Sequence, residues 1–342
     1  MMMTTMTTVL RRSRPVARCL VLAGIAGCGN HLPPPGMCDV PTSGETVTVT
    51  PVALGGTPAS YDDLRYSPEL KKVVAAPSGT GQISLVDPDS LAVQMLPAPR
   101  GVYSADASAS TVYAADRGSN HILAIDIASA TTIAAQAMPG TPDYVRFSPT
   151  TSEVWVSLPG TNRLEILDAA NLAAIGSVTL PGPPEGLTFD GERAYTHANG
   201  RVLAIDVARR LVTGEWDTGC GFSHGFPQVD DQYGLAFGGC FSNGGVGVVT
   251  MQGNVRAGFE AGGGEAILAY DQVRHHLYLR GDPGGTLDIL ATCSTGGLGG
   301  LAKVTIPNYG HGASADDRGH VWVADATTGG VLRITDPFAA TR

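Results

Sequence analysis

VYAADRGSNHILAID at 112–126, VWVSLPGTNRLEILD at 154–168 and VWVADATTGGVLRITD at 321–336 are three versions of one phrase. Each is an alternating apolar stretch, a loop of Gly, Ser, Thr or Asn, and a second alternating stretch closing on Asp. Period-2 alternation around turn residues is the mark of an antiparallel strand pair. KVVAAPSGTGQISLVD (72–87) and RAYTHANGRVLAID (193–206) are further copies, while YGLAFGGCFSNGGVGVVT (233–250) and HLYLRGDPGGTLDIL (276–290) are degenerate ones. The Asp residues that end third strands (Asp87, Asp126, Asp168, Asp206, Asp336) are suited to cap the following turn with a side-chain acceptor.

Ahead of each phrase stands another short strand: YDDLRYSP (61–68), RGVYSAD (100–106), DYVRFSP (143–149), EGLTFD (185–190), HGFPQVD (224–230), EAILAYD (265–271) and HGASADD (311–317). Outer strands follow, among them LAVQMLP (91–97) and AAIGSVTLP (173–181). A repeat of this length built from strands implies a radial, all-β architecture. The phrase resembles the YVTN-type propeller repeat, over nearly all of residues 45–338. That resemblance implies a seven-bladed β-propeller of four-stranded blades and implies nothing about chemistry, because the scaffold carries many functions. The last blade runs out of chain after its third strand, at DPFAATR (336–342), whereas ETVTVTPVAL (45–54) is a strand too many at the other end. The spare strand is expected to fill the vacant place, pairing near Val331–Thr335 and closing the ring without exposed edges.

Residues 9–28, VLRRSRPVARCLVLAGIAGC, place a basic stretch before a short apolar run, the layout of a secretory signal too short to span a bilayer. Ile25-Ala26-Gly27-Cys28 resembles the lipobox of bacterial lipoproteins. The resemblance implies cleavage after residue 27, lipid on Cys28 and a membrane anchor. With Gly29 next, it implies sorting to the outer membrane of the cell envelope rather than the inner one. Residues 28–44 then read as a tether stiffened by Pro33–Pro35, and 45–342 as the propeller.

The chain holds 22 basic and 31 acidic residues. Four basic residues and no acid precede Cys28, so cleavage leaves 18 against 31, a charge of −13. A nucleic-acid backbone would be repelled, and no basic stripe is visible. The chain is expected to act as a monomer.

Beyond Cys19 and Cys28 four cysteines remain, and an exported protein meets an oxidising compartment. In a propeller the loops between blades and the loops between second and third strands share one face. Cys220 and Cys240 fall on that face in one blade. Cys38 and Cys293 fall on the other, one blade apart. Cys220–Cys240 with Cys38–Cys293 is the pairing that does not cross the molecule.

Aligning the inner strands puts Asp62, Arg100, Asp143, Glu185, His224, Glu265 and His311 in one register, at steps of 38, 43, 42, 39, 41 and 46 residues. All seven are ionisable and are expected to ring one mouth of the channel. Either the mouth is a solvated funnel or it is a ligand site. His224, Glu265 and His311 form the candidate metal set, with Zn, Mn or Fe suiting the imidazoles and Ca the carboxylates alone. Asp143 and Glu185 are candidate bases and Arg100 a candidate clamp for an anionic group. His197 reads as a solvated loop residue, and His275, His276 and His320 as turn residues of the far face. No G-x-S-x-G, H-E-x-x-H or phosphate-binding loop occurs. Two functions follow: a binding module that takes a peptide, glycan or protein at its mouth, and a metal-dependent enzyme of the lactonase or lyase kind seen in related propellers.

Overall fold

The computed structural model describes residues 38, 40, 44–241, 243–253, 255–260 and 264–341. The signal segment 1–27, Cys28 and nearly all of the tether lie outside the described residues.

Seven antiparallel sheets of four strands each account for the rest. The six complete blades run in chain order, inner strand to outer. Blade three, for example, is Val145–Ser148, Glu153–Leu158, Arg163–Asp168 and Ala174–Thr179. Blade seven is Ala313–Ala315, His320–Asp325 and Gly330–Thr335, completed by Thr48–Val52 from the N-terminal side. The register is Thr48 opposite Thr335 through Val52 opposite Val331, the place expected for the spare strand.

Burial explains the sequence texture. Second and third strands are covered on both faces, so Glu153–Leu158 is buried throughout and the inner phrase reads as nearly unbroken apolar residues. Fourth strands lie at the rim, and Thr131–Ala137 is mostly exposed. Apolar clusters fill each seam between neighbouring blades. The seam that closes the ring joins Trp322, Ala324 and Val331 of blade seven, with Val52 and Leu54, to Leu64, Val73 and Val86 of blade one. The clasp strand is thus packed as well as hydrogen-bonded.

The Asp caps act as expected: Asp87 Oδ1 accepts from the amides of Asp89 and Ser90, Asp126 from Ser129, and Asp206 from Arg209. Both disulfides are present in the expected pairing. Cys220–Cys240 joins Cα atoms 4.9 Å apart and Cys38–Cys293 joins Cα atoms 5.7 Å apart. Gly299 makes room for the second bridge, since any side chain there would collide with Val40 and Cys38. It and Gly300 lie inside the outer strand Leu298–Thr305.

Candidate functional site

Three inner strands begin two residues after their register position, at Leu64, Val145 and Ala313. Asp62, Asp143 and His311 therefore sit where the chain turns down into the channel. Glu185 and Glu265 open their strands, and His224 is the second residue of Ser223–Asp230. These six side chains meet around one mouth, each between 12% and 28% exposed.

Arg100 is not among them. Its guanidinium is exposed and donates to the carbonyl of Gly79 in blade one. The cross-strand register gives the reason: Ala105 pairs with Ala114 as Val145 pairs with Val156 and Leu64 with Ala75, so Tyr103, at the bulge between Val102 and Ser104, holds the place of Asp143 and Asp62, and Arg100 lies three residues before it. The cation at the mouth is Arg117, from the next loop. Its Nη2 donates to both Asp62 and Asp143, and its guanidinium lies over the Tyr103 ring at 4.7 Å. The sequence offers only a basic residue after a second strand as a sign of this.

The contacts run on around the ring. Tyr144 donates its hydroxyl to Glu185 Oε1 at 3.2 Å. Glu185 Oε1 lies 3.5 Å from His224 Nε2. Glu265 Oε2 lies 3.4 Å from His224 Nδ1 and 3.3 Å from His311 Nδ1, and the two imidazoles meet edge-on at 4.9 Å. Burial pushes Glu185 up to about 8, with the Asp143 charge adding to the effect. Burial also lifts Asp143 to about 6, against the pull of Arg117 and with the push of Asp62. Burial and the neighbouring His311 hold His224 below the usual imidazole range. Burial opposes the charge on His311, yet Glu265 and Asp62 carry it above that range, and contact with His311 depresses Glu265 in turn.

One ligand atom each from His224, Glu265 and His311 lie within 4.8 Å of one another. For metal–ligand bonds of about 2.0–2.1 Å, the edge of a coordination tetrahedron is about 3.3–3.4 Å. The approaches of Glu265 Oε2 to His224 Nδ1 and to His311 Nδ1 both match that edge. His224 Nδ1 and His311 Nε2 are buried and have no hydrogen-bond partner among the described residues. The donor set therefore fits a small divalent ion.

Two features of the mouth escape sequence reading. Phe222 and Phe241 stand exposed on its lip, in edge contact at 5.4 Å, and Phe241 meets the His224 ring at 5.2 Å. The Cys220–Cys240 bridge holds together the loops that carry them. The second feature is a floor. Arg146 makes a two-pronged pair with Asp63 at 2.6 and 2.8 Å, and Ser104 donates to the same carboxylate at 2.6 Å. Arg146 lies over the Phe226 ring at 4.6 Å, and Phe226 meets Tyr144 edge-on at 4.7 Å.

His197 is not a solvated loop residue. It belongs to the strand Arg193–Ala198, is 1% exposed, and its Nδ1 contacts the Gly225 carbonyl at 3.2 Å. The far-face histidines are structural: His275 pairs with Asp230, His276 with Asp336 and His320 with Asp316.

No family model and no curated protein matches the sequence. Solved structures show the fold. A crystal structure of RRP9 WD40 repeats superposes with a TM-score of 0.71 at 11% identity, over 89% of this chain and 99% of that one. A chain of Kuenenia stuttgartiensis hydrazine synthase gives 0.68 at 14%, over 82% and 97%. A chain of the mitotic checkpoint complex gives 0.68 at 15%, over 98% and 100%. At these identities the likeness concerns the propeller alone.

Proposed function

We propose that this chain is an exported lipoprotein of the cell envelope, anchored through Cys28, whose propeller mouth captures a peptide, glycan or protein with the help of a divalent metal ion. The observation that carries the reading is the triangle of His224, Glu265 and His311, whose ligand atoms lie within 4.8 Å of one another, with both edges from Glu265 at tetrahedral spacing and His224 Nδ1 buried without a hydrogen-bond partner among the described residues. Two imidazoles and one carboxylate favour zinc, or manganese or iron, over calcium, which takes six to eight oxygens. Such a set leaves a coordination position open towards the mouth for a ligand atom. Phe222 and Phe241 would supply the apolar contact beside it, in the manner of aromatic anchors at binding surfaces. The membrane anchor, and outer rather than inner membrane, rest on the lipobox-like residues and Gly29.

A second reading, a metal-dependent hydrolase or lyase, is favoured by the carboxyl groups on the same ring of side chains: Glu185 Oε1 lies 3.5 Å from His224 Nε2, the ring nitrogen opposite the one that faces Glu265. Glu185 or Asp143 across the mouth would be the carboxyl that moves a proton, and Glu185 would also orient that imidazole. Arg117, already shared by Asp62 and Asp143, takes no part in gripping an anion.

The test is metal content and zinc affinity of wild type beside the double variant His224→Gln/His311→Gln. Wild type is expected to take up one ion per chain and the variant none. Negligible metal in both would remove the ion and leave an acidic binding well. Anchoring is checked separately: Cys28→Ala should abolish palmitate labelling and release the protein from membranes, and a variant that stays acylated would refute it.

A further inference from the structure

The floor divides the channel, and the far side of it is a chamber of its own, at the end where first and second strands turn. Its volume is about 220 Å³. That is roughly seven times the ~30 Å³ a water takes in the liquid, and below the ~300–1,000 Å³ of sites for drug-sized ligands. The chamber has room for one small molecule and none for a chain of linked units. Two arginines and two aspartates stand on its wall: Arg65 from blade one, Arg146 from blade three, Asp190 from blade four and Asp317 from blade seven.

The two arginines leave no positive charge over. Arg146 is matched by Asp63 at 2.6 Å, and Arg65 faces Asp106 across 3.7 Å. Asp190 and Asp317 have no cation of their own among the described residues. Two guanidiniums against four carboxylates leave the ionised chamber two charges negative. Asp190 makes neither a hydrogen bond nor an ion pair there, and burial, reinforced by the Asp231 charge, raises its pKa. Asp317 accepts the Gln272 amide with Oδ1 at 2.9 Å and keeps its second oxygen free. The side-chain amides of Gln228 and Gln272 donate to backbone carbonyls, which leaves their oxygens as further acceptors in the same wall. An unmatched negative charge surrounded by spare acceptors calls for a cation that carries several N–H donors. An ammonium group has three and no acceptor. Aromatic rings complete the match. Phe189 and Tyr66, both half-buried, line the chamber, and a ring face attracts a cation while covering the carbon chain that bears it. The wall already holds one cation in this way, the Arg146 guanidinium over the Phe226 ring at 4.6 Å.

We infer that this far-side chamber is a second binding site, and that it takes a small primary amine as its ammonium ion, with the charge held by the free carboxylates and the carbon part against Phe189 and Tyr66. The site is separate from the mouth and needs no metal. Calorimetry at constant ionic strength with ethylamine, butylamine, benzylamine and ethanolamine tests it on the intact protein. Each amine is run beside an alcohol and a carboxylate of like size, and tetramethylammonium serves as a cation without N–H donors. At least one amine is expected to bind once per chain, with its alcohol, its carboxylate and tetramethylammonium weaker by about tenfold or more. Asp190→Asn/Asp317→Asn keeps the shape of both side chains and should weaken the amine by about tenfold or more with unchanged circular dichroism. If the pair disturbs folding, Asp190→Asn alone carries the test, because Asp190 holds nothing else in place. His224→Gln/His311→Gln should leave amine binding unaltered, so failure here is distinct from failure of the metal reading. Binding by none of the amines would overturn the inference. So would an alcohol, carboxylate or tetramethylammonium that binds within tenfold of its amine, amine binding that stays within tenfold of wild type in the carboxamide variant, or amine binding that disappears with the two histidines.

Discussion

His197 gives the sharpest test of how the mouth is built. Its imidazole is 1% exposed, Nδ1 contacts the Gly225 carbonyl, and Nε2 has no partner among the described residues. Burial, with a contribution from the His224 charge, depresses its pKa to about 3, against the backbone contact to Gly225. The unfolded chain titrates near 6.5. Between these values the unfolded state binds a proton that the native state refuses, so stability falls as pH falls. The contribution is complete above about 6.5 and has gone by about 3. At about 1.36 kcal/mol per pH unit, the loss reaches about 3 kcal/mol by pH 4, a large share of an ordinary domain's 5–15 kcal/mol. Glu185 works in the opposite sense. Pushed up to about 8, it holds a proton that the unfolded chain has already lost, so it adds stability as pH falls through 8. The two effects oppose one another on the way to pH 4.5, and wild type alone would hide both. His197→Gln keeps a side-chain donor for Gly225 and removes the titration. Urea unfolding of wild type and variant from pH 7.5 to 4 should give a difference that shifts against wild type by about 1.4 kcal/mol per unit below pH 6. A difference that stays flat with pH would mean that His197 is protonated or solvated in the native protein, and the burial argument would fail.

The channel floor should be the costliest place to remove a charge: Asp63→Ala strands Arg146 in the interior and is expected to cost about 3–5 kcal/mol in chemical unfolding, and a loss below 1 kcal/mol would contradict it. A chain beginning at residue 56 lacks the strand Thr48–Val52, exposes the edge of Gly330–Thr335 and should aggregate on size-exclusion chromatography. Unchanged melting and a monomeric peak would refute the clasp.

Much of the fold was open to reading because its signals are local. Alternation, turn composition and the Asp caps each occupy a few residues and recur, so seven imperfect copies reinforce one another. The clasp followed from counting strands, and the disulfides from knowing which loops share a face. The mouth was legible where a blade is regular. It was misread where the inner strand bulges. In blade two Tyr103, at the bulge beside Val102, holds the register position, and Arg100 lies three residues before it. In blades four and five the register slips between Glu185 and Thr188 and between His224 and Gln228. Gly186, at φ +69°, approaches Gly225 so closely that a side chain there would strike the Gly225 carbonyl. That approach sets the carbonyl against His197, and nothing in residues 193–206 alone reports it. Arg117 was missed for a related reason, since the direction of a loop side chain is set by what it reaches, here two carboxylates from other blades.

Asp63 shows how one residue's neighbour can carry a different part of the design. Asp62 and Asp63 are adjacent in sequence, and alternation along the chain sends their side chains to different places. Asp62 stays at the mouth with Arg117, while Asp63 is 1% exposed and holds Arg146. A seven-bladed ring leaves an axial space that inner strands do not close by themselves. Here it is closed by the Arg146–Asp63 pair, the Phe226 ring under the guanidinium and Tyr144 against that ring. Tyr144 belongs to both levels, because its hydroxyl reaches up to Glu185 while its ring is part of the floor. Loss of Asp63 should therefore disturb Glu185 through Tyr144, whereas a change at Phe189 on the far side should not. The two chambers share a wall, and a perturbation crosses from one to the other only through the residues that make it.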